Sequence, residues 1–110
     1  MSEPAVTIED VRQRIDALDL RIVELIAERQ KWVVTAGSLK MDQQAVRAPA
    51  RVEQVITKVR VLAEESGASP EVVERTYRAL ITAFIDLELE QQARRTRRST
   101  DGLPNRAADR

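Results

Sequence analysis

From Ile8 to Ala36 the apolar residues recur at spacings of three and four, as Ile8, Val11, Ile15, Leu18, Ile22, Leu25/Ile26, Trp32/Val33 and Ala36, with no proline among them. That spacing lays one continuous stripe along a helix. Thr7 can cap the first orphan N–H groups, and Glu9 and Asp10 suit the positive end of the helix dipole. Nothing in the sequence interrupts the pattern before Gln43, so it predicts a helix from Thr7 to Met41, about 50 Å long at ~1.5 Å per residue. A compact monomer of this size has a radius of gyration of only about 13 Å. A stripe of that length needs a partner along it, which predicts an intertwined homodimer.

Two shorter helices follow. The stretch from Met41 to Ala48 is polar and irregular, and Pro49 suits the first turn of a helix because its missing N–H costs nothing there. Val52, Val55/Ile56, Val59 and Leu62/Ala63 form its apolar stripe, and Gly67 can take the left-handed conformation that ends it. Ser69-Pro70-Glu71 then supplies a cap, a first-turn proline and an N-terminal acid in succession. Val73, Tyr77, Leu80/Ile81, Phe84/Ile85 and Leu89 give the third helix its apolar side, which fades after Gln92. The expected fold is all-α, with one long and two shorter helices forming a domain over residues 1–93. Residues 94–110 are expected to be a basic, disordered tail.

Composition narrows the chemistry. The chain's 18 Lys and Arg balance 18 Asp and Glu, and it contains no His and no Cys. Thiolate nucleophiles, Ser-His-Asp triads and the usual zinc sites are therefore excluded, and no metal or cofactor is expected. A zero net charge argues against general polyanion binding. No apolar run approaches the ~20 residues that span a bilayer, and the N-terminus lacks a secretory pattern. A cytoplasmic protein without membrane contact is expected.

The residues that break the apolar seams carry the functional signal. Arg29 falls on the line of Ile22, Leu25/Ile26, Trp32/Val33 and Ala36, and a buried guanidinium is costly unless an anion meets it. Lys40 follows eleven residues later, about three turns at ~3.6 residues each, and so projects to nearly the same face. Arg12 precedes Arg29 by seventeen residues, ~25 Å along the axis. It cannot easily share a small ligand with Arg29 of its own chain, but two antiparallel long helices could bring Arg12 of one chain beside Arg29 of the other. The plainer reading of each cation is a buried aliphatic stem with its head in water. Glu88 breaks the third helix's seam among Tyr77, Ile81, Phe84 and Gln91. Burial favours the protonated carboxyl, which can donate a hydrogen bond; the alternative is a salt bridge to an arginine.

These fragments resemble a known family. Val11-Arg12-Gln13-Arg14-Ile15-Asp16-Ala17-Leu18-Asp19, Leu25-Ile26-Ala27-Glu28-Arg29, Lys40, and Val46-Arg47 followed by Arg51 occur in the order and spacing of the small all-helical chorismate mutases and the related isochorismate-pyruvate lyases. The resemblance spans about Ile8 to Gln92. It implies a homodimer with composite sites in which Arg12, reaching into the partner's site, and Arg29 and Arg51 bind a chorismate-like dicarboxylate. It further implies that Lys40 and Glu88 contact the bridging ether oxygen. Lys40, Glu88 and Arg29 are then the catalytic residues and Arg12, Arg29, Lys40, Arg51 and Glu88 the substrate-binding set, with no cofactor.

The expected activity is chorismate mutase, the rearrangement of chorismate to prephenate. Three departures bear on it. Bacterial mutases usually have Gln where Glu88 stands, whereas fungal mutases have Glu there and use its protonated form. Ala48 and Val52 occupy positions where well-studied bacterial mutases carry Asp and Glu, the latter contacting the ring hydroxyl. The string Ala48-Pro49-Ala50-Arg51-Val52 looks more like the lyase branch, which makes salicylate from isochorismate; a mutase of 4-amino-4-deoxychorismate is a third alternative. A non-catalytic helical interaction module, with Arg94-Arg95-Thr96-Arg97-Arg98 touching nucleic acid, is the reading from a different class. Arginines near a helix C-terminus also suit its dipole, so a nucleic-acid partner is not expected.

Overall fold

The computed structural model describes residues 5–102, with side chains described through residue 98. The chain is all-α: α1 (Ile8–Ser38), α2 (Gln43–Arg47), α3 (Pro49–Ser66) and α4 (Pro70–Gly102). The three long helices are those the sequence predicts. α2 is a single turn within the stretch expected to be irregular. The helix expected to fade after Gln92 continues as α4 to Gly102, so residues 94–102 of the expected tail are helical; residues 103–110 lie outside the described residues. No helix among the described residues is long and apolar enough to cross a membrane.

The chain divides after Trp32 into two units. The first is the N-terminal stretch of α1. Thr7 Oγ1 accepts from the Asp10 N–H at 3.1 Å while the Thr7 N–H donates to Asp10 Oδ2 at 3.0 Å, a reciprocal cap. Those bonds, the one from the Thr7 backbone first, hold the Asp10 carboxyl below its usual value. In the single chain, the apolar stripe of this unit is open: Ile8, Val11, Ile15, Leu18, Ile22 and Trp32 are all exposed.

The second unit is built on the α3–α4 hairpin. Ile56, Val59 and Ala63 of α3 and Phe84 of α4 are buried, and Val46 of α2 joins them. The expected pair Leu62/Ala63 resolves to Ala63 inside and Leu62 exposed. Starts and stops follow local chemistry. Ser69 Oγ accepts from the Val72 N–H at 3.2 Å, and Asp42 Oδ1 caps α2 through the Ala45 N–H at 2.8 Å. Gly67 closes α3 at φ 79°, its N–H directed at the carbonyls of Ala63 and Glu64. A Cβ added at Gly67 meets nothing within 4 Å, so Gly67→Ala isolates the backbone strain of a left-handed residue. It is expected to cost about 1 kcal/mol in urea unfolding at an unchanged m-value.

An ion-pair lattice joins the outer faces of the hairpin. Arg78 holds both carboxylate oxygens of Glu53 at 3.0 Å and Glu74 at 2.8 Å, and Arg60 reaches Glu74 at 2.7 Å. The Arg78 guanidinium holds the Glu53 and Glu74 carboxyls below the usual glutamate value of 4.5, with Arg60 adding to the effect on Glu74. Because these values are depressed in the folded state, the stabilisation is present above pH ~4.5 and is lost as pH falls through the lower folded-state values. Urea unfolding across that range should show wild type losing stability on acidification more steeply than Arg78→Ala; equal slopes would show that the lattice contributes nothing measurable.

Candidate functional site

α1 ends three residues earlier than the stripe predicts. Ser38 Oγ donates to the Thr35 carbonyl at 2.7 Å, and the last turn tightens as the Leu39 N–H reaches the Ala36 carbonyl at 3.1 Å and the Lys40 N–H the Gly37 carbonyl at 3.2 Å. Lys40 therefore stands beyond the helix, in a turn, and its direction is set by that turn rather than by helical phase with Arg29. Asp42, which caps the next helix, explains why the chain stops here: it starts a new element before Gln43 can extend the old one.

Lys40 Nζ lies 3.1 Å from Glu88 Oε2. Glu88 is only 6% exposed and is the buried charged residue among the described residues. Its burial follows from the α4 seam, where it lies one helical turn beyond Phe84. The sequence leaves Glu88 either protonated or paired with an arginine; the structure pairs it with a lysine instead. The pair is sealed by Gly37, which is buried against it: a Cβ at Gly37 would stand 3.1 Å from Glu88 Oε2 and 3.2 Å from Cγ.

The remaining expected site residues are placed as follows. Arg51 lies in the first turn of α3 and is exposed. Arg12 is exposed on the N-terminal stretch of α1, and Arg29, on the same stretch, is half-buried. The structure thus brings Lys40 and Glu88 together within the second unit, while Arg12 and Arg29 belong to the first. Two residues beside the pair were not expected at the site, Arg95 having been read only as part of a basic run. Gly37 is one; a glycine inside a helical pattern signals a packing reason because it costs ~1 kcal/mol relative to Ala. Arg95 is the other, donating from Nη2 to the Gly37 carbonyl at 3.3 Å. Its position seven residues after Glu88 on one helix was the available signal. A shallow depression is bordered by Met41, Asp42, Leu89, Gln92 and Arg97.

A buried carboxyl facing an ammonium, on an all-helical frame, defines a site that can donate to or exchange partners with an oxygen-rich anion. Residues 11–89 match the family described as chorismate mutase type II. The chain is also 31% identical over 83 residues to an isochorismate pyruvate lyase of Pseudomonas aeruginosa, a match covering 76% of this chain and 82% of that protein. The chain belongs to the chorismate mutase type II family.

Proposed function

We propose that the chain is a chorismate mutase, rearranging chorismate to prephenate without a metal or a covalent intermediate. The single observation that carries the reading is the Lys40–Glu88 pair, an ammonium and a carboxyl meeting at 3.1 Å on a largely buried face. In the rearrangement an allylic carbon–oxygen bond breaks as a carbon–carbon bond forms within the same molecule. Negative charge grows on the ether oxygen as it does so. With that oxygen in place, Lys40 donates to it while Glu88 holds the ammonium in line, and the bond from Lys40 strengthens in the transition state. Arg12, Arg29 and Arg51 are assigned to the two substrate carboxylates, for which planar guanidinium groups are well suited. They hold the flexible substrate in its folded, reactive conformer.

The active unit is a homodimer. Support comes from the open stripe of α1 and from the thin core of the single chain, in which no large side chain among the described residues is fully buried. A second copy laid along the stripe would cover it and supply Arg12 to a composite site. We place the enzyme in the cytoplasm.

A second reading, isochorismate-pyruvate lyase, is favoured by two specific observations. A relative bears that name, and half-buried Val52 offers no acceptor for the ring hydroxyl of chorismate. Incubating purified protein with chorismate and, separately, with isochorismate decides between the two. Prephenate from the first supports the mutase. Salicylate and pyruvate from the second, with no prephenate, would replace it by the lyase, and no turnover of either would overturn both.

A further inference from the structure

The Gly37 carbonyl accepts two hydrogen bonds, from the Lys40 N–H at 3.2 Å and from Arg95 Nη2 at 3.3 Å. One oxygen thus ties the turn that carries Lys40 to α4. Glu88 and Arg95 lie seven residues apart on α4, about 10 Å along one face at ~1.5 Å per residue. The helix therefore holds this turn at two points: through the Glu88 side chain to the Lys40 ammonium, and through Arg95 to the backbone before Lys40. The C-terminal end of α1 carries the negative end of its dipole. α1 has no basic residue in its own last turn; Arg95 supplies that cation from a neighbouring helix.

Gly37 completes the arrangement from the other side. An added Cβ would come to 3.1 Å from Glu88 Oε2, 3.2 Å from Cγ and 3.4 Å from Cδ, so alanine here would push the carboxyl off its present line to Lys40. We propose that Arg95 and Gly37 are positioning residues for the reaction. Arg95 fixes the turn from which Lys40 reaches the ether oxygen, and Gly37 leaves the space in which Glu88 meets it. The assignment rests on the proposed pericyclic activity. It extends the functional unit to residue 95, beyond both the expected domain end and the family match.

The test is steady-state kinetics on wild type, Arg95→Ala, Arg95→Lys, Gly37→Ala and, for reference, Lys40→Ala, with thermal melts of each. A lysine misplaced by a fraction of an ångström loses transition-state contact more than ground-state binding, so Arg95→Ala should lower kcat about 10-fold with KM nearly unchanged. Arg95→Lys, which keeps a cation and a donor, should recover most of the loss, and millimolar guanidinium ion should raise kcat of Arg95→Ala but not of Lys40→Ala. Gly37→Ala should lower kcat by a similar factor. A purely structural role would lower the melting temperature without guanidinium-dependent kcat. Wild-type kcat in Arg95→Ala beside an inactive Lys40→Ala would overturn the proposal. A readout independent of turnover separates it from the functional reading: the NMR-resolved splitting of the Lys40 ε-methylene protons should collapse in Arg95→Ala. If wild type turns over no substrate, unchanged splitting in Arg95→Ala still rejects the positioning role, and collapse still supports the anchoring of Lys40.

Discussion

Lys40→Ala is expected to lower kcat with chorismate by about 100-fold or more, the loss typical when a donor aimed at a developing oxyanion is removed. The ammonium lies 3.1 Å from Glu88 Oε2. The substitution also leaves a 7%-exposed carboxylate side chain without its partner, which should lower stability by about 1–3 kcal/mol. Activity and folding must therefore be separated. Lys40→Gln retains a neutral donor that can satisfy Glu88, so it should melt close to wild type and still lose most of the turnover, because a neutral amide does not neutralise charge growing on oxygen. Near-normal kcat in Lys40→Gln would mean that hydrogen bonding, not charge, is what the site requires. Near-normal kcat in Lys40→Ala would remove the residue from the mechanism.

The second large effect is expected at the two α1 arginines. Arg12→Ala and Arg29→Ala should each lose turnover by about 100-fold or more, since a guanidinium bidentate to a carboxylate contributes several kcal/mol when desolvated. Chains of the two variants, unfolded together and refolded as mixed dimers, should regain activity. In a mixed dimer with composite sites, one site collects both lesions and the other neither. Random assortment makes about half the dimers mixed, and one of their two sites is intact, so about a quarter of wild-type activity should return. No recovery in demonstrably mixed dimers would place Arg12 and Arg29 in a site of a single chain.

The parts of the fold governed by adjacent residues were legible in the sequence. The Thr7 and Ser69 caps, Pro49 at the start of α3 and Gly67 at its end each depend on chemistry within a few residues, and each stands where the pattern put it. The end of α1 was read three residues too late because the apolar period continues past Ser38, while the actual stop is made by the turn at Gly37 and the cap at Asp42. α4 outlasts its apolar side because charged residues carry it onward, Arg94 pairing with Glu90 one turn earlier. At the candidate site, the burial of Glu88 was readable because a charge on an apolar seam has one place to go. Its nearness to Lys40 followed only from the family resemblance and not from helical phase, because Lys40 stands past the end of α1, beyond a turn that α4 contacts from nearly sixty residues away. Arg95 escaped for the same reason: its contact is with a backbone carbonyl, which has no sequence signature.

The most direct test of the central claim, that Lys40 and Glu88 form a site for a chorismate-like dicarboxylate in its folded conformer, is a calorimetric titration of wild type and Lys40→Gln with a bicyclic dicarboxylate that mimics the rearrangement's transition state. Wild type should bind it at least about 100-fold more tightly than chorismate, and Lys40→Gln should lose most of that preference. Equal affinity of wild type for the mimic and for chorismate, or undiminished preference in Lys40→Gln, would contradict it.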